Sequence, residues 1–562
     1  MNAKNAVIGI GILALIVFVS FTVLFFFKLN TTVSDFSMSD VTNLSQFYYN
    51  IFHGRPLQVT TYLEESSQFH NPYPYFNTMV IHGFLLSGLI VSLFYIPWPG
   101  INTMYAVFIM FNFIGFAFFT FKIMQRLSPS DVYLKALLAF SVYLLSGILR
   151  QTVARGLAIT MCGPFILAAY YFLISDKKYA LFFTIASLCL IQEDLAIFAI
   201  TFLIVLLFFE KKCKIAIYWS LAFSIGYFIL WNFIIQPASR YDLVIVNRGS
   251  SSMLQERFHQ ILESLFSWKL YLKRSFVVFS GFYLPALAAI IIYRFFGVLR
   301  RQPWLKIFSF AFLAAAAHWA YGAFHSLGTY LMPPLTMVYL AFLLFLCGIN
   351  FDWKKKITQR ASVILLAAVG IFLVVNLIVM APVLPYSLRS NMWKIVKQRT
   401  GVEIFQRNDV ERQIVSNKET IKVVKAIPAD KSVVFWGNQS ICAFMSCRND
   451  FWFFPMYYDL ADFLVIQKGA EHSWFSAGDL KDLYYNRPGF WGRLYGHSTD
   501  EAVSGHLVDR IREDLVGNRG THRVMCDTKY ALVLERAIRY KFYMPESSMG
   551  LGWIAHYTGK RE

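Results

Sequence analysis

The sequence predicts a polytopic α-helical membrane protein of about eleven transmembrane helices followed by a soluble C-terminal α/β domain. Long, nearly uncharged apolar runs fill the first two thirds of the chain, basic residues cluster between alternate runs, and strand-length apolar runs appear only after residue 382. Of 562 residues 57% are hydrophobic and only 15% charged, where soluble domains carry about 25% charged residues. The net charge of +19 is distributed in short clusters rather than in one basic stripe, which argues against nucleic acid as a partner.

A helix needs about 20 apolar residues to cross the hydrocarbon core. Segments 6–27, 101–121, 132–149, 156–174, 179–192, 195–209, 215–235, 275–294, 305–323, 330–349 and 361–381 meet or approach that requirement. The first is preceded by Lys4 and has no small-residue cleavage site before Lys28, so it reads as a retained span and not as a signal peptide. Counting 78–96 as a further span would invert every later basic loop, and it is read as a juxtamembrane helix. The clusters Lys122/Arg126, Lys177/Lys178, Lys211/Lys212/Lys214, Arg300/Arg301/Lys306 and Lys354/Lys355/Lys356/Arg360 then share a side with Lys4. The positive-inside rule places that side in the cytoplasm and the C-terminal domain outside it.

Residues 1–381 thus form the membrane module, with outer loops at 28–100 and 236–274, and 382–562 form the extracytoplasmic domain. In the latter, Ser432–Trp436 and Phe463–Ile466 read as strands, and Lys418–Ala426 and Val503–Leu515 as helices. The seven cysteines contain no C-x-x-C pair. Four lie in or beside apolar runs, while Cys442 and Cys447 can bridge to each other or to Cys526 in an oxidising compartment. No P-loop, dinucleotide fingerprint or zinc signature is present, so energy and leaving group must arrive with the substrate.

Function is sought in charged groups at the outer ends of the spans. Asp40 begins a polar stretch before the helical pattern Val41–Phe52; it is either a site carboxylate or, with Ser39, the cap of that helix. Glu193 and Asp194 sit at the mouth of two short spans, where carboxylates face a cavity, hold a divalent cation or cap the following helix. Arg150 and Arg155 stand at an outer edge that disfavours arginine, which suits a phosphate clamp or snorkelling to headgroups. Lys273 before 275–294, His325 and Tyr330 near another outer end, and His70 in an aromatic loop complete the candidate contacts.

Four passages carry a resemblance. Asp40-Val41-Thr42-Asn43-Leu44-Ser45-Gln46 leads into His53-Gly54-Arg55-Pro56-Leu57; Gln192-Glu193-Asp194-Leu195-Ala196 is a turn; Tyr330-Leu331-Met332-Pro333 enters a late span. Ile427-Pro428-Ala429-Asp430-Lys431-Ser432-Val433 is followed by Arg448, Phe454-Pro455 and Ala461-Asp462-Phe463. In this order they resemble a prokaryotic family of predicted membrane proteins that belongs with the GT-C glycosyltransferases. The departures are Ser45 where members often carry a second Asp, Gln192 for a Lys, and Arg150–Arg155 where a His-Pro pair is often found.

The resemblance implies inverting transfer from a polyprenyl-phosphate sugar donor to a glycan, lipid or protein acceptor on the outer face. It implies Asp40, Glu193 and Asp194 as catalytic acids, with Arg150, Arg155, His325, Tyr330, Gln46, His70 and Lys273 contacting substrate. No cofactor beyond an optional divalent cation is implied. A lipid or glycan transporter, or a non-catalytic binding protein on the same scaffold, is the alternative; the acids here stand at the outer edge and not at mid-membrane depth.

Overall fold

The computed structural model describes residues 3–30, 38–53, 58–59, 77–78, 85–146, 156, 158–192, 195–209, 213–231, 297–298, 332–348, 350–351, 354, 410–437, 444, 447–448, 451–452, 461–468, 505–518 and 520–537. It is mostly helical, with one five-stranded sheet and two short two-stranded ladders. The helices of the first part are α1 (Ala3–Asn30), α2 (Met38–Phe52), α3 (Leu85–Tyr95), α4 (Ile101–Leu127), α5 (Val132–Leu145), α6 (Cys162–Ile174), α7 (Lys178–Ile191), α8 (Leu195–Phe209), α9 (Lys214–Ile229) and α10 (Met332–Cys347).

Among the described residues two helices are long and apolar enough to cross a membrane, Lys4–Phe26 and Ile101–Leu127. The other described apolar helices are shorter than that, and α8 coincides with its sequence run, 195–209. The expected 156–174 segment starts with a 3-10 turn, Ala158–Met161, and becomes α-helical only at Cys162. Pro164 lies in the first turn of α6, where its missing N–H costs no helical bond. Within the 78–96 run the described helix is the 11-residue α3, which at 1.5 Å per residue is about half the length needed to cross. The expected segments 275–294, 305–323 and 361–381 lie outside the described residues.

Small residues set the helix crossings. A Cβ on Gly115 would lie 2.5 Å from Pro164 Cβ, and one on Gly163 would lie 2.5 Å from Phe116, so α4 and α6 meet backbone to backbone. Gly11 is likewise covered by Leu137 where α1 crosses α5. Into the space left by α4, α5 and α6 comes α10: Tyr339 donates to or accepts from Thr120 Oγ1 at 2.8 Å, beside the stacked rings of Phe116 and Tyr143, 3.9 Å between centroids. At the other end of α4, Asp131 takes a left-handed φ of 58°, and the buried Lys135 donates to Ser128 Oγ at 2.6 Å. That bond ties the first turn of α5 to the residue that ends α4.

The sheet has the order β6 (Phe451–Trp452), β5 (Val433–Trp436), β7 (Phe463–Gln467), β9 (Ala531–Arg536), β8 (His522–Asp527). Earlier in the chain β1 (Gln58–Val59) pairs β2 (Asn77–Thr78), and β3 (Gly297–Val298) pairs β4 (Asn350–Phe351). The β5 strand is parallel to β6 and β7, and β9 is antiparallel to β7 and β8. Every residue of β5 and β7 is buried, as expected of central strands covered on both faces, whereas β8 alternates as an edge strand. Helix α11 (Val410–Lys425) covers β7 and β9; Gln467 Nε2 donates to Asn417 Oδ1 at 2.7 Å and to Ser416 Oγ at 3.0 Å. Helix α12 (Gly505–Arg512) runs into a π-helical turn, Glu513–Asn518, before β8.

Candidate functional site

The site is built on α2. Val41, Thr42, Leu44, Ser45, Gln46, Phe47, Tyr48 and Asn50 are all buried, so this helix is enclosed rather than laid on a surface. On one side it meets α3 at Gly88, where a Cβ would stand 2.9 Å from Phe47 and 3.0 Å from Ile51. The absent side chain is what lets Tyr95 reach α2. The Tyr95 hydroxyl lies 3.1 Å from Ser45 Oγ, and its ring meets Tyr48 edge-on at 6.0 Å. Deeper in, Tyr48 contacts Phe108 of α4. One turn before Phe108, Tyr105 packs on Phe25 and on Gly156, the chain neighbour of Arg155. Gly156 has φ +69°, and a Cβ there would lie 2.7 Å from the Tyr105 hydroxyl oxygen.

The other side of α2 is met by Cys447 and Arg448. Gln46 Nε2 donates to the Arg448 carbonyl at 3.2 Å, and Cys447 Sγ lies 3.8 Å from Ser45 Oγ. Phe444 and Cys447 are part of the apolar packing around the helices. The Arg448 guanidinium faces the opposite way, donating to the carbonyls of Val424 at 3.0 Å, Ile427 at 2.8 Å and Lys431 at 3.4 Å, and to that of Pro428. A cation on the free carbonyls at a helix C-terminus satisfies both their hydrogen bonds and the helix dipole. Burial draws the guanidinium below its ordinary value, yet an arginine remains charged in such a setting. Burial pushes the Cys447 thiol up to about 11, against the smaller opposing effects of the Ser45 contact and the Arg448 charge.

Of the residues expected to act on substrate, Gln46 is the one whose side chain is described, and its amide is bound to backbone. Asp40 lies within α2, which is described from Met38 onward, so neither Ser39 nor Asp40 caps a helix starting at Val41; the Asp40 side chain lies outside the described residues. Gln192, fully turned inward, precedes Glu193 and Asp194, which fall between α7 and α8 and outside the described residues. Arg150, Arg155, His70, Lys273, His325 and Tyr330 also lie outside them. Helix α3 packs against both α2 and α7, so it stands between the Asp40 helix and the helix that leads to Glu193. Among the described residues, no group of three or more His, Cys, Asp or Glu is placed to hold a metal ion.

Of the pairings left open by the sequence, Cys447 and Cys526 are both free thiols here, and Cys442 lies outside the described residues. The first has its sulfur against α2, and the second sits on the edge strand β8. Sequence reading missed Ser45, Tyr95 and Cys447 as partners. The signal available for the first pair was Gly88, a small residue in an apolar helix facing a Phe-rich one. No family model matches the chain, and no curated protein matches it at a significant level.

Proposed function

We propose that the chain is a multi-pass membrane glycosyltransferase of the GT-C type, with its C-terminal sheet outside the membrane. The acceptor hydroxyl oxygen attacks the anomeric carbon of a polyprenyl-phosphate sugar. The carbon–oxygen bond to phosphate breaks, the phosphate leaves with the bonding pair, and the acceptor proton passes to the Asp40 carboxylate. Arg150 or Arg155 neutralises the departing phosphate, and Glu193 and Asp194 orient the acceptor or share a divalent cation with the donor.

The observation that carries this reading is the enclosure of α2. A carboxylate useful in catalysis must be held in place, and Asp40 belongs to a helix fixed on one side by Ser45 to Tyr95 and on the other by Gln46 to Arg448. Gly156 supports the clamp assignment, because it packs on Tyr105, whose α4 neighbour Phe108 touches α2. The experiment is Asp40→Asn in purified protein supplied with a polyprenyl-phosphate sugar and acceptor. Loss of transfer by a factor of at least 10² is expected, and unchanged transfer removes Asp40 from its role. Movement of a labelled lipid across vesicles without sugar transfer would favour the transporter alternative.

A further inference from the structure

The geometry points to Cys447 and Arg448 as a hook that fixes the position of α2, with Gln46 and Arg448 as positioning residues for Asp40. This inference rests on the reading of Asp40 as a site residue and adds a role for the C-terminal sheet unit. Arg448 joins two units at one residue. Its guanidinium binds carbonyls that end α11 and begin the approach to β5, which makes the backbone at 447–448 a rigid extension of the sheet. Its own carbonyl then receives Gln46, and the preceding sulfur meets Ser45. Ser45 and Gln46 are consecutive, so the hook touches two adjacent ridges of the helix and resists both sliding and rotation.

The lever is short. An isolated helix of 15 residues is marginal in water and owes its order to what it packs on. Gln46 lies six residues from Asp40, about 9 Å along the axis, so a tilt of about 10° at the hook moves Asp40 by more than 1 Å. A misplacement of ~1 Å is enough to slow a catalysed reaction ~10²-fold. The buried amide of Gln46 and the buried guanidinium of Arg448 make the hook strong, because each is costly to leave without a partner.

The test uses the full-length protein in membranes. Ser45→Cys is treated with copper phenanthroline, and peptides are analysed by mass spectrometry for a bond between positions 45 and 447; Ser45→Cys combined with Cys447→Ser is the control. A link lost in the control supports the hook, and no link in the single variant overturns it. In parallel, hydrogen exchange across α2 is compared in wild type, Gln46→Met and Arg448→Ala. Exchange about tenfold faster in both variants is expected, although the Arg448 side chain bonds only carbonyls on the sheet side. Unchanged α2 exchange in both overturns the proposal. Neither readout needs a sugar donor, so absent transfer would sink the enzyme reading alone. Where transfer is measured, Gln46→Met should lower kcat 10- to 100-fold with KM unchanged; an unchanged kcat removes the positioning role and leaves Asp40 standing.

Discussion

Ser432 and Asp462 bind each other in both directions. The Asp462 carboxylate accepts from the Ser432 N–H at 3.0 Å and from its hydroxyl at 2.9 Å, while Ser432 Oγ accepts from the Asp462 N–H at 2.8 Å. Both residues stand immediately before strands that run parallel, β5 and β7, so the exchange fixes the register at which Val433 faces Phe463. Asp462→Ala should lower stability by about 1.5–3 kcal/mol, the range for hydrogen bonds to a charged group. Ser432→Ala should cost less, and the double variant should fall short of the sum by about 1 kcal/mol or more. Chemical denaturation of the four proteins measures the coupling; strict additivity would mean that the pair does not set the register.

Arg448 gives a second stability prediction. Replacing it with Ala strips hydrogen bonds from the carbonyls of Val424, Ile427, Pro428 and Lys431 at once, and a loss of about 1.5–3 kcal/mol is expected, the range for hydrogen bonds to a charged group. Arg448→Lys should recover only part of it, because one ammonium cannot reproduce the fork. Thermal unfolding followed through the sheet reads this directly.

The arginine and the Ser432–Asp462 pair show how much could be read in advance. Both belong to the passage that carries the family resemblance, and in the structure both are scaffold: they place the helix end and the strands. The strands themselves were evident because Val433–Trp436 and Phe463–Gln467 are short apolar runs with turn residues around them. Helix α11 was seen only from Lys418 onward; it starts at Val410, since its first turns are polar and lack the spacing that marks a buried face. Membrane-length runs overstated several helices, as at 156–174, where apolar composition continues through a 3-10 turn. The contact of Ser45 with Cys447 left no local trace, because no periodicity connects residues 402 positions apart. It does give a physical reason for a small neutral residue at 45: the side chain is fully buried beside a tyrosine hydroxyl and a thiol, where a carboxylate would be desolvated.

Gly156 tests the packing next to Arg155. An Ala at this position must hold φ near +69° and place its Cβ against the Tyr105 ring. Gly520 has a similar φ, +60°, with nothing within 4 Å of its absent Cβ, so Gly520→Ala measures the left-handed strain by itself, about 1 kcal/mol. Gly156→Ala should cost about 2–4 kcal/mol because overpacking adds to that strain. Equal losses in thermal unfolding would show that Tyr105 yields freely.

The Cys447 thiol supplies a pH prediction. Its value in the folded protein, about 11, stands above its ordinary 9.0. Below pH 9 both folded and unfolded forms keep the proton, and the stabilisation is fully present. Between about 9 and 11 the unfolded chain loses the proton first, so stability falls as pH rises. Cys447→Ser should flatten that decline, and alkylation of Cys447 by iodoacetamide in the folded protein should stay slow until the pH approaches 11. Fast modification at pH 8 would show that the sulfur is not held against Ser45.

The orientation of the chain can be measured with the same chemistry. If the basic clusters face the cytoplasm, Asp131, exposed in the turn after α4 that follows Lys122 and Arg126, lies inside, and Asp430, exposed in the turn before β5, lies outside. A Cys at position 430 should react with a membrane-impermeant maleimide on intact cells, and a Cys at position 131 only after the membrane is opened. Cys162, Cys189 and Cys213 are buried and Cys447 is shielded, so the two variants are made with Cys347, Cys442 and Cys526 replaced by Ser. In the unmutated protein Cys526, partly exposed on β8, should label from the side that labels position 430. Labelling of positions 131 and 430 from one side would place the α2 pocket and the basic turns in the same compartment. A donor arriving from the outer leaflet would then have no route to Asp40.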